Sequence, residues 1–166
     1  MRVLYAGSGY DTQHDLLPGD AIVTRLDIDP ACSPDILASM VNMGDIGEYD
    51  MVFSCHSLEH LYPQDVEKAL SEFYRVLTPR GHVLVVVPDL EGVTPTTDVL
   101  FESCGGPVTG HDLFYGQRQL VDKSLYMAHH TGFVSESLEN TLIAAGLSGV
   151  SVLRIPEYNL MGTGRA

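Results

Sequence analysis

Short apolar runs alternate along this chain with stretches whose apolar residues recur at helical spacing. The runs predict β-strands at 2–6, 22–28, 35–39, 50–55, 81–87 and 149–155. Strands that alternate with helices are typical of a mostly parallel sheet covered on both faces. The pattern therefore predicts an α/β fold built on a doubly wound sheet.

The clearest helix is predicted from Pro63 to Leu77. A proline suits the first turn of a helix, and Pro79-Arg80-Gly81 marks the end. Its apolar residues recur at helical spacing: Val66, Leu70, Phe73, Tyr74 and Leu77. We expect this helix to pack against the sheet.

The C-terminal part predicts a helix followed by two strands. The helix begins at Ser135 and closes near Gly146, which suits its C-terminal position. The strand at 149–155 follows, and Pro156 breaks it. The stretch 158–161 is then predicted to return as an antiparallel C-terminal edge strand.

The segment 90–132 differs from the rest because glycine and proline divide it into short pieces. We interpret it as an insert within a single domain, 1–166, and predict that it forms a lid or substrate-binding segment. The alternative is a flexible loop without a binding role.

Composition narrows the class of protein. A chain of 166 residues suits one domain, and the three cysteines, Cys32, Cys55 and Cys104, lack metal-finger spacing. Reduced thiols and a start that leads directly into a strand favour a cytoplasmic, unexported protein, and no stretch resembles a membrane span. The net charge of −13, without a basic run, argues against nucleic acid as a partner.

The first strand is followed by the turn Gly7-Ser8-Gly9, and the second strand ends in acid at Asp27 and Asp29. A glycine turn in a βαβ unit brings backbone N–H groups close to a ligand, and a carboxylate about 20 residues later binds ribose hydroxyls. These residues predict a nucleoside-containing ligand. Asp29 before Pro30 suits a helix cap, which leaves Asp27 for the ribose. Alternatively, both features serve only turn geometry and capping.

Three longer blocks carry a resemblance to a family. They are Tyr49-Asp50-Met51-Val52-Phe53-Ser54-Cys55-His56-Ser57-Leu58-Glu59-His60-Leu61, then Arg75-Val76-Leu77-Thr78-Pro79-Arg80-Gly81, and finally His130-Thr131-Gly132-Phe133 with Ala144-Ala145-Gly146-Leu147. Together they resemble the class I S-adenosylmethionine-dependent methyltransferases, specifically a type 11-like subgroup with a Leu-Glu-His-Leu signature. The resemblance implies a Rossmann-like sheet and methyl transfer from S-adenosylmethionine to a small-molecule acceptor.

The resemblance also implies roles for individual residues. The turn Ala6, Gly7, Ser8 and Gly9 would wrap the methionine part of the cofactor, and Asp27 would bind the ribose hydroxyls. The adenine would lie against Ile28, between Ser39 and Met40. Cys55 and His56 would face the reacting centre.

Three residues are candidates for accepting a proton from the methyl acceptor: His56, His130 and Tyr115. Each could equally be a satisfied polar side chain. The stretch from His56 to His60 also matches a His-x-x-Glu-His zinc-peptidase pattern, but that site needs all five residues in one helix. Because the stretch lies between a strand and Pro63, we predict no metal.

The chain departs from the family pattern at Tyr5, Asp11 and Arg80, which replace an acid and two glycines. No helix precedes the first strand, where many relatives have one that closes over the substrate. These differences keep open a catalytically inactive binding or regulatory protein, and the open side leaves room for a homodimer. A nicotinamide oxidoreductase is disfavoured, since Gly-x-Gly-x-x-Gly is absent.

Overall fold

The computed structural model describes residues 1–103 and 105–166; Cys104 lies outside the described residues. Seven strands form one sheet in the order β3-β2-β1-β4-β5-β9-β8, and β6 and β7 form a separate two-stranded sheet. The strands are β1 (Arg2–Ala6), β2 (Ile22–Asp27), β3 (Ile36–Leu37), β4 (Tyr49–Cys55), β5 (Leu77–Pro88), β6 (Val99–Ser103), β7 (Gly106–Thr109), β8 (Ser148–Ile155) and β9 (Asn159–Arg165). The helices are α1 (Pro63–Arg75), α2 (Gly110–Tyr115), α3 (Arg118–Val121) and α4 (Ser135–Ala144).

The first five strands of the main sheet are parallel, and β9 runs antiparallel to both β5 and β8. This arrangement confirms the predicted α/β fold class and the antiparallel C-terminal strand. That strand does not form the edge, however: β9 inserts between β5 and β8, so β8 is outermost. Glu157 and Tyr158 both have positive φ, 63° and 55°, and make the tight reversal that folds β9 back beside β8.

Alternating side chains of the strands belong to two separate cores. Leu4, Ala6 and Val52 point into a large cluster that includes α1 and α4. Their neighbours Tyr5 and Phe53 belong to a smaller cluster, closed by Leu17 and His14 from the segment after β1. Since side chains alternate along a strand, the two clusters lie on opposite faces of the sheet.

The connection between β1 and β2 corrects one expectation. A βαβ unit would place a helix there, but residues 7–21 form turns. Asp11 accepts hydrogen bonds from the Gln13 amide (3.1 Å) and the Tyr5 hydroxyl (3.2 Å), and Pro18 and Gly19 interrupt the remaining residues. Local side-chain bonds therefore replace the helix at this crossover.

Helix α1 begins at Pro63, as predicted, but it ends at Arg75, two residues before Leu77. The Val76 carbonyl accepts from the Tyr49 amide at 2.8 Å, and Leu77 pairs with Tyr49 of β4. This pairing draws Leu77 into β5, which is longer than the predicted 81–87. Strand β3 is shorter than the predicted 35–39.

No helix within residues 1–103 and 105–166 is long and apolar enough to cross a membrane.

The large core depends on α1, where Phe73 is fully buried. We expect Phe73→Ala to lower the free energy of unfolding by about 3–5 kcal/mol, because it removes a buried ring and leaves a cavity. The matched control on the same helix is Lys68→Ala, which removes only an exposed pair with Asp65 and should cost less than about 1 kcal/mol. Urea unfolding followed by circular dichroism measures both; equal losses would contradict the described core.

Candidate active site

A cavity of about 890 Å³ opens at the carboxyl ends of β1, β2 and β4. From β1 the chain builds outward to β2 and β3, then returns to the other side of β1 with β4. This reversal of strand order leaves a crevice between the loops that follow β1 and β4. Crevices of this kind are where open α/β sheets bind ligands.

The glycine turn forms the floor of the cavity. Gly7 has φ of +69°, and its amide donates to the Leu26 carbonyl of β2 at 2.8 Å. A Cβ at this position would overlap Ser57 Oγ and lie 2.9 Å from Met40 Cε. Residue 7 must therefore be glycine for two reasons, its backbone conformation and the close approach of the loop after β4.

Asp27 ties the turn to the end of β2. Its side chain is largely buried, and its two oxygens accept from the amides of Gly9 at 2.7 Å and Asp29 at 2.9 Å. The carboxylate still lines the cavity. Asp29 instead accepts from the Ala31 amide and caps a short 3-10 helix, Pro30–Cys32, as its position before a proline predicts.

The loop after β3 lies on the far side of the cavity from β4. Ser39 and Met40 line the cavity there, and Ile28 lines it from the end of β2 with 47% of its surface exposed. An isolated bridge between Ser39 and Asn42 holds this loop in place. The three residues predicted to contact adenine thus all line the same cavity.

Cys55 and His56 lie on the opposite wall, at the end of β4. Burial, reinforced by the charges of Glu59 and Asp11, raises the pKa of the Cys55 thiol to about 12. His56 has φ of +49°, and its Nδ1 lies 3.2 Å from Glu59 Oε1. Burial alone would lower the pKa of His56, but the hydrogen bond and charge of Glu59 raise it above its usual value.

Three predicted site residues lie outside the cavity. Ala6 is fully buried in the large core. His130 stacks on Tyr62, with ring centroids 4.2 Å apart, and lines a separate cavity of about 370 Å³. Its backbone amide donates to the Glu59 carbonyl at 2.8 Å, which fixes it there. Tyr115, at the end of α2, is 54% exposed beside His111. The structure therefore does not bring Tyr115 or His130 to the proposed reacting centre.

The cavity also has lining residues that the sequence analysis missed. Ser57 donates to the Gly7 carbonyl at 2.8 Å and joins the two loops. The insert supplies a further wall: Leu120, Lys123, Ser124, Tyr126 and Met127. Ser57 directly follows the predicted site residue His56, so its position at the end of β4 could have indicated it. The contact of residues 120–127 with the cavity depends on how the insert folds back, which the sequence does not indicate.

The departures at Tyr5 and Asp11 lie away from the cavity. Tyr5 belongs to the smaller core on the opposite face of the sheet, and its hydroxyl donates to Asp11 Oδ2 at 3.2 Å. Burial, together with the negative charges nearby, raises the pKa of Tyr5 far above its usual value. The two residues thus satisfy each other, and neither lines the cavity.

Comparison with known proteins agrees with this architecture. The family described as "Methyltransferase domain" matches residues 4–85. No curated protein matches the sequence.

Solved structures share the fold over nearly the whole chain. PigF, solved with SAH, superposes with a TM-score of 0.64 at 15% identity, over 99% of this chain and 50% of PigF. The DhpI–SAH complex gives 0.64 at 21% identity, over 98% of this chain and 74% of that one. A third structure is the Burkholderia thailandensis 1,6-didemethyltoxoflavin-N1-methyltransferase with bound 1,6-didemethyltoxoflavin and S-adenosylhomocysteine. It superposes with a TM-score of 0.61 at 17% identity, over 99% of this chain and 70% of that one. The chain spans about half the length of PigF.

The two glycines of the turn allow a matched test of the close approach. Gly9→Ala should cost about 1–2 kcal/mol of unfolding free energy, from positive φ alone, since no atom of the described residues lies within 4 Å of an added Cβ. Gly7→Ala should cost about 1–3 kcal/mol more, because the methyl meets Ser57. Chemical denaturation compares the two variants; equal costs would disprove the contact.

A raised pKa predicts an unreactive Cys55. A thiol with a pKa of about 12 instead of 9.0 has roughly 1,000-fold less thiolate at pH 8. We expect native Cys55 to react with iodoacetamide about that much more slowly than in the urea-unfolded chain, with the rate still rising above pH 9. Peptide mass spectrometry follows the site; comparable rates in both states would refute the assignment.

Proposed function

Because residues 4–85 belong to the methyltransferase domain family and the chain folds as a class I S-adenosylmethionine-dependent methyltransferase, we propose that it transfers a methyl group from S-adenosylmethionine to a small-molecule acceptor. The observation that supports this best is the large cavity beside the reversal of strand order between β1 and β4. It joins the glycine turn, Asp27, the loop after β4 and the insert.

The cavity fits the cofactor on its own geometry. The turn Gly7-Ser8-Gly9 lines the cavity with little side chain, so its backbone can approach a ligand. Asp27 presents a largely buried carboxylate beside it, which suits a ribose diol. Ile28 and Met40 offer apolar surface for an adenine ring. The volume of about 890 Å³ lies within the usual range for small-molecule sites.

When bound, S-adenosylmethionine supplies an electrophilic methyl group on a sulfonium centre. The protein then has to align the acceptor and exclude water, which requires little acid–base machinery. His56 is placed to receive the acceptor's proton: its Nδ1 faces Glu59, which leaves Nε2 as the free ring nitrogen of a side chain that lines the cavity. Glu59 stabilises the positive charge that His56 would then carry.

We propose that the acceptor enters on the side of the insert. Residues 120–127 place Leu120 and Met127 over the cavity together with Lys123. Among the described residues that line this cavity, Lys123 is the only lysine or arginine. This combination suits a small, largely apolar acceptor with a polar group near Lys123, and it supports the proposal that residues 90–132 act as a lid.

The remaining proposals concern the cell and its macromolecules. We propose a cytoplasmic protein, supported by the free thiols Cys32 and Cys55, because reducing compartments keep thiols from pairing. The net charge of −13 supports an acceptor other than nucleic acid. We propose no membrane partner, and a homodimer stays a prediction.

The choice between the two acids at the end of β2 can be tested directly. Asp27→Asn should weaken S-adenosylhomocysteine binding by about 1–3 kcal/mol, because buried ribose hydroxyls lose a charged acceptor. Asp29→Asn is the matched control: it lies on the same cavity, and asparagine also caps helices, so affinity should stay within about 0.5 kcal/mol. Isothermal titration calorimetry measures both.

Equal losses in the two variants would place the ribose elsewhere. Binding without turnover on any acceptor would favour the inactive binding protein over the enzyme. If the unmodified chain does not bind S-adenosylhomocysteine, both the enzyme and the inactive binding protein are contradicted.

A further inference from the structure

We propose that Glu59, His60 and His129 form a binding site for a divalent metal ion of the Zn²⁺ type. One ring nitrogen of each histidine and a carboxylate oxygen of Glu59 all lie within 4.8 Å of one another. Two imidazoles and a carboxylate are a common ligand set for zinc and other imidazole-preferring divalent ions. The site differs from the peptidase pattern considered in the sequence, since it uses His129 and not His56.

The carboxylate of Glu59 lacks a partner that its environment requires. Glu59 is 1% exposed, and its Oε1 lies 3.2 Å from His56 Nδ1. Its Oε2 is buried without a hydrogen-bond partner among the described residues. An unpaired carboxylate oxygen in a protein interior is costly, and a coordinated cation would satisfy it.

The two histidines are prepared as ligands by their backbone neighbours. His60 Nδ1 lies 3.2 Å from the Ala128 carbonyl oxygen, and His129 Nδ1 lies 2.9 Å from the Leu113 carbonyl oxygen. A carbonyl oxygen only accepts, so each Nδ1 must carry a proton, and in the neutral tautomer Nε2 is then the nitrogen that can bind a metal. Metal-ligating histidines characteristically donate their other ring N–H in this way.

The backbone fixes the three side chains relative to one another. The Glu59 carbonyl accepts from the amides of His130 at 2.8 Å and Thr131 at 3.1 Å, which ties the end of the insert to the loop after β4. The rings of His60 and His129 meet edge to face, with centroids 5.0 Å apart. The ligands are therefore assembled by the fold, from two distant stretches of the chain.

The proposed metal site lies beside the cavity that the loops after β1 and β4 form. His60 is both a proposed ligand and a lining residue. Three protein ligands leave at least one coordination position of a zinc ion free. The competing explanation is a structural cluster in which Glu59 pairs with a protonated histidine and no metal binds. The inference is independent of methyl transfer, because binding is measured without turnover.

The test is equilibrium dialysis of the full chain, with any histidine tag removed, against Zn²⁺ and then Co²⁺. We expect one ion per chain and a cobalt ligand-field absorption band. His129→Gln keeps a donor for the Leu113 carbonyl and should weaken zinc binding at least about tenfold and abolish the band. His60→Gln should behave alike. The matched control is His111→Gln, which lies outside the cluster and should leave both unchanged.

Circular dichroism of each variant checks that it is folded. Sub-stoichiometric binding by the unmodified chain, or equal affinity in the His129 and His111 variants, would overturn the proposal and favour the structural cluster. If His129→Gln does not fold, the His60 and His111 variants decide the question by the same comparison.

Discussion

The contact between Gly7 and Ser57 is the constraint on which the candidate site depends. The Ser57 hydroxyl donates to the Gly7 carbonyl, and the two residues approach so closely that no side chain fits at position 7. This contact joins the loops that follow β1 and β4, on either side of the reversal in strand order. With Asp27 holding the Gly9 amide, it sets the shape of the crevice before any ligand binds.

Much of the fold follows from local patterns that the sequence displays. The strands β1 and β4 are mostly buried and rich in apolar residues, and β2 begins with an apolar pair, so all three were predictable to within about one residue. Pro63 marked the start of α1. The predictions failed where strand pairing between distant parts of the chain sets the structure. Leu77 belongs to β5 because it pairs with Tyr49 of β4, and β9 lies between β5 and β8, not at the edge of the sheet. The missing helix after Gly7 reflects local side-chain bonds at Asp11 that a family pattern does not anticipate.

The same division holds for the candidate site. Residues that directly follow a strand, such as Gly7, Asp27 and His56, line the cavity as their positions predicted. Candidates that were chosen by residue type alone, Tyr115 and His130, lie elsewhere. Contacts made by the insert could not be predicted, because they depend on how residues 90–132 fold back over the sheet. The juxtaposition of His129 with the Leu-Glu-His-Leu segment is the clearest case.

The raised pKa of Cys55 bears on how such a site survives its own chemistry. A thiolate is a strong nucleophile, and Cys55 lies on the wall where a sulfonium methyl group would be held. With a pKa of about 12 the sulfur stays protonated under physiological conditions and competes poorly with the acceptor. Burial, which keeps this thiol protonated, would thus protect Cys55 from methylation by the bound cofactor.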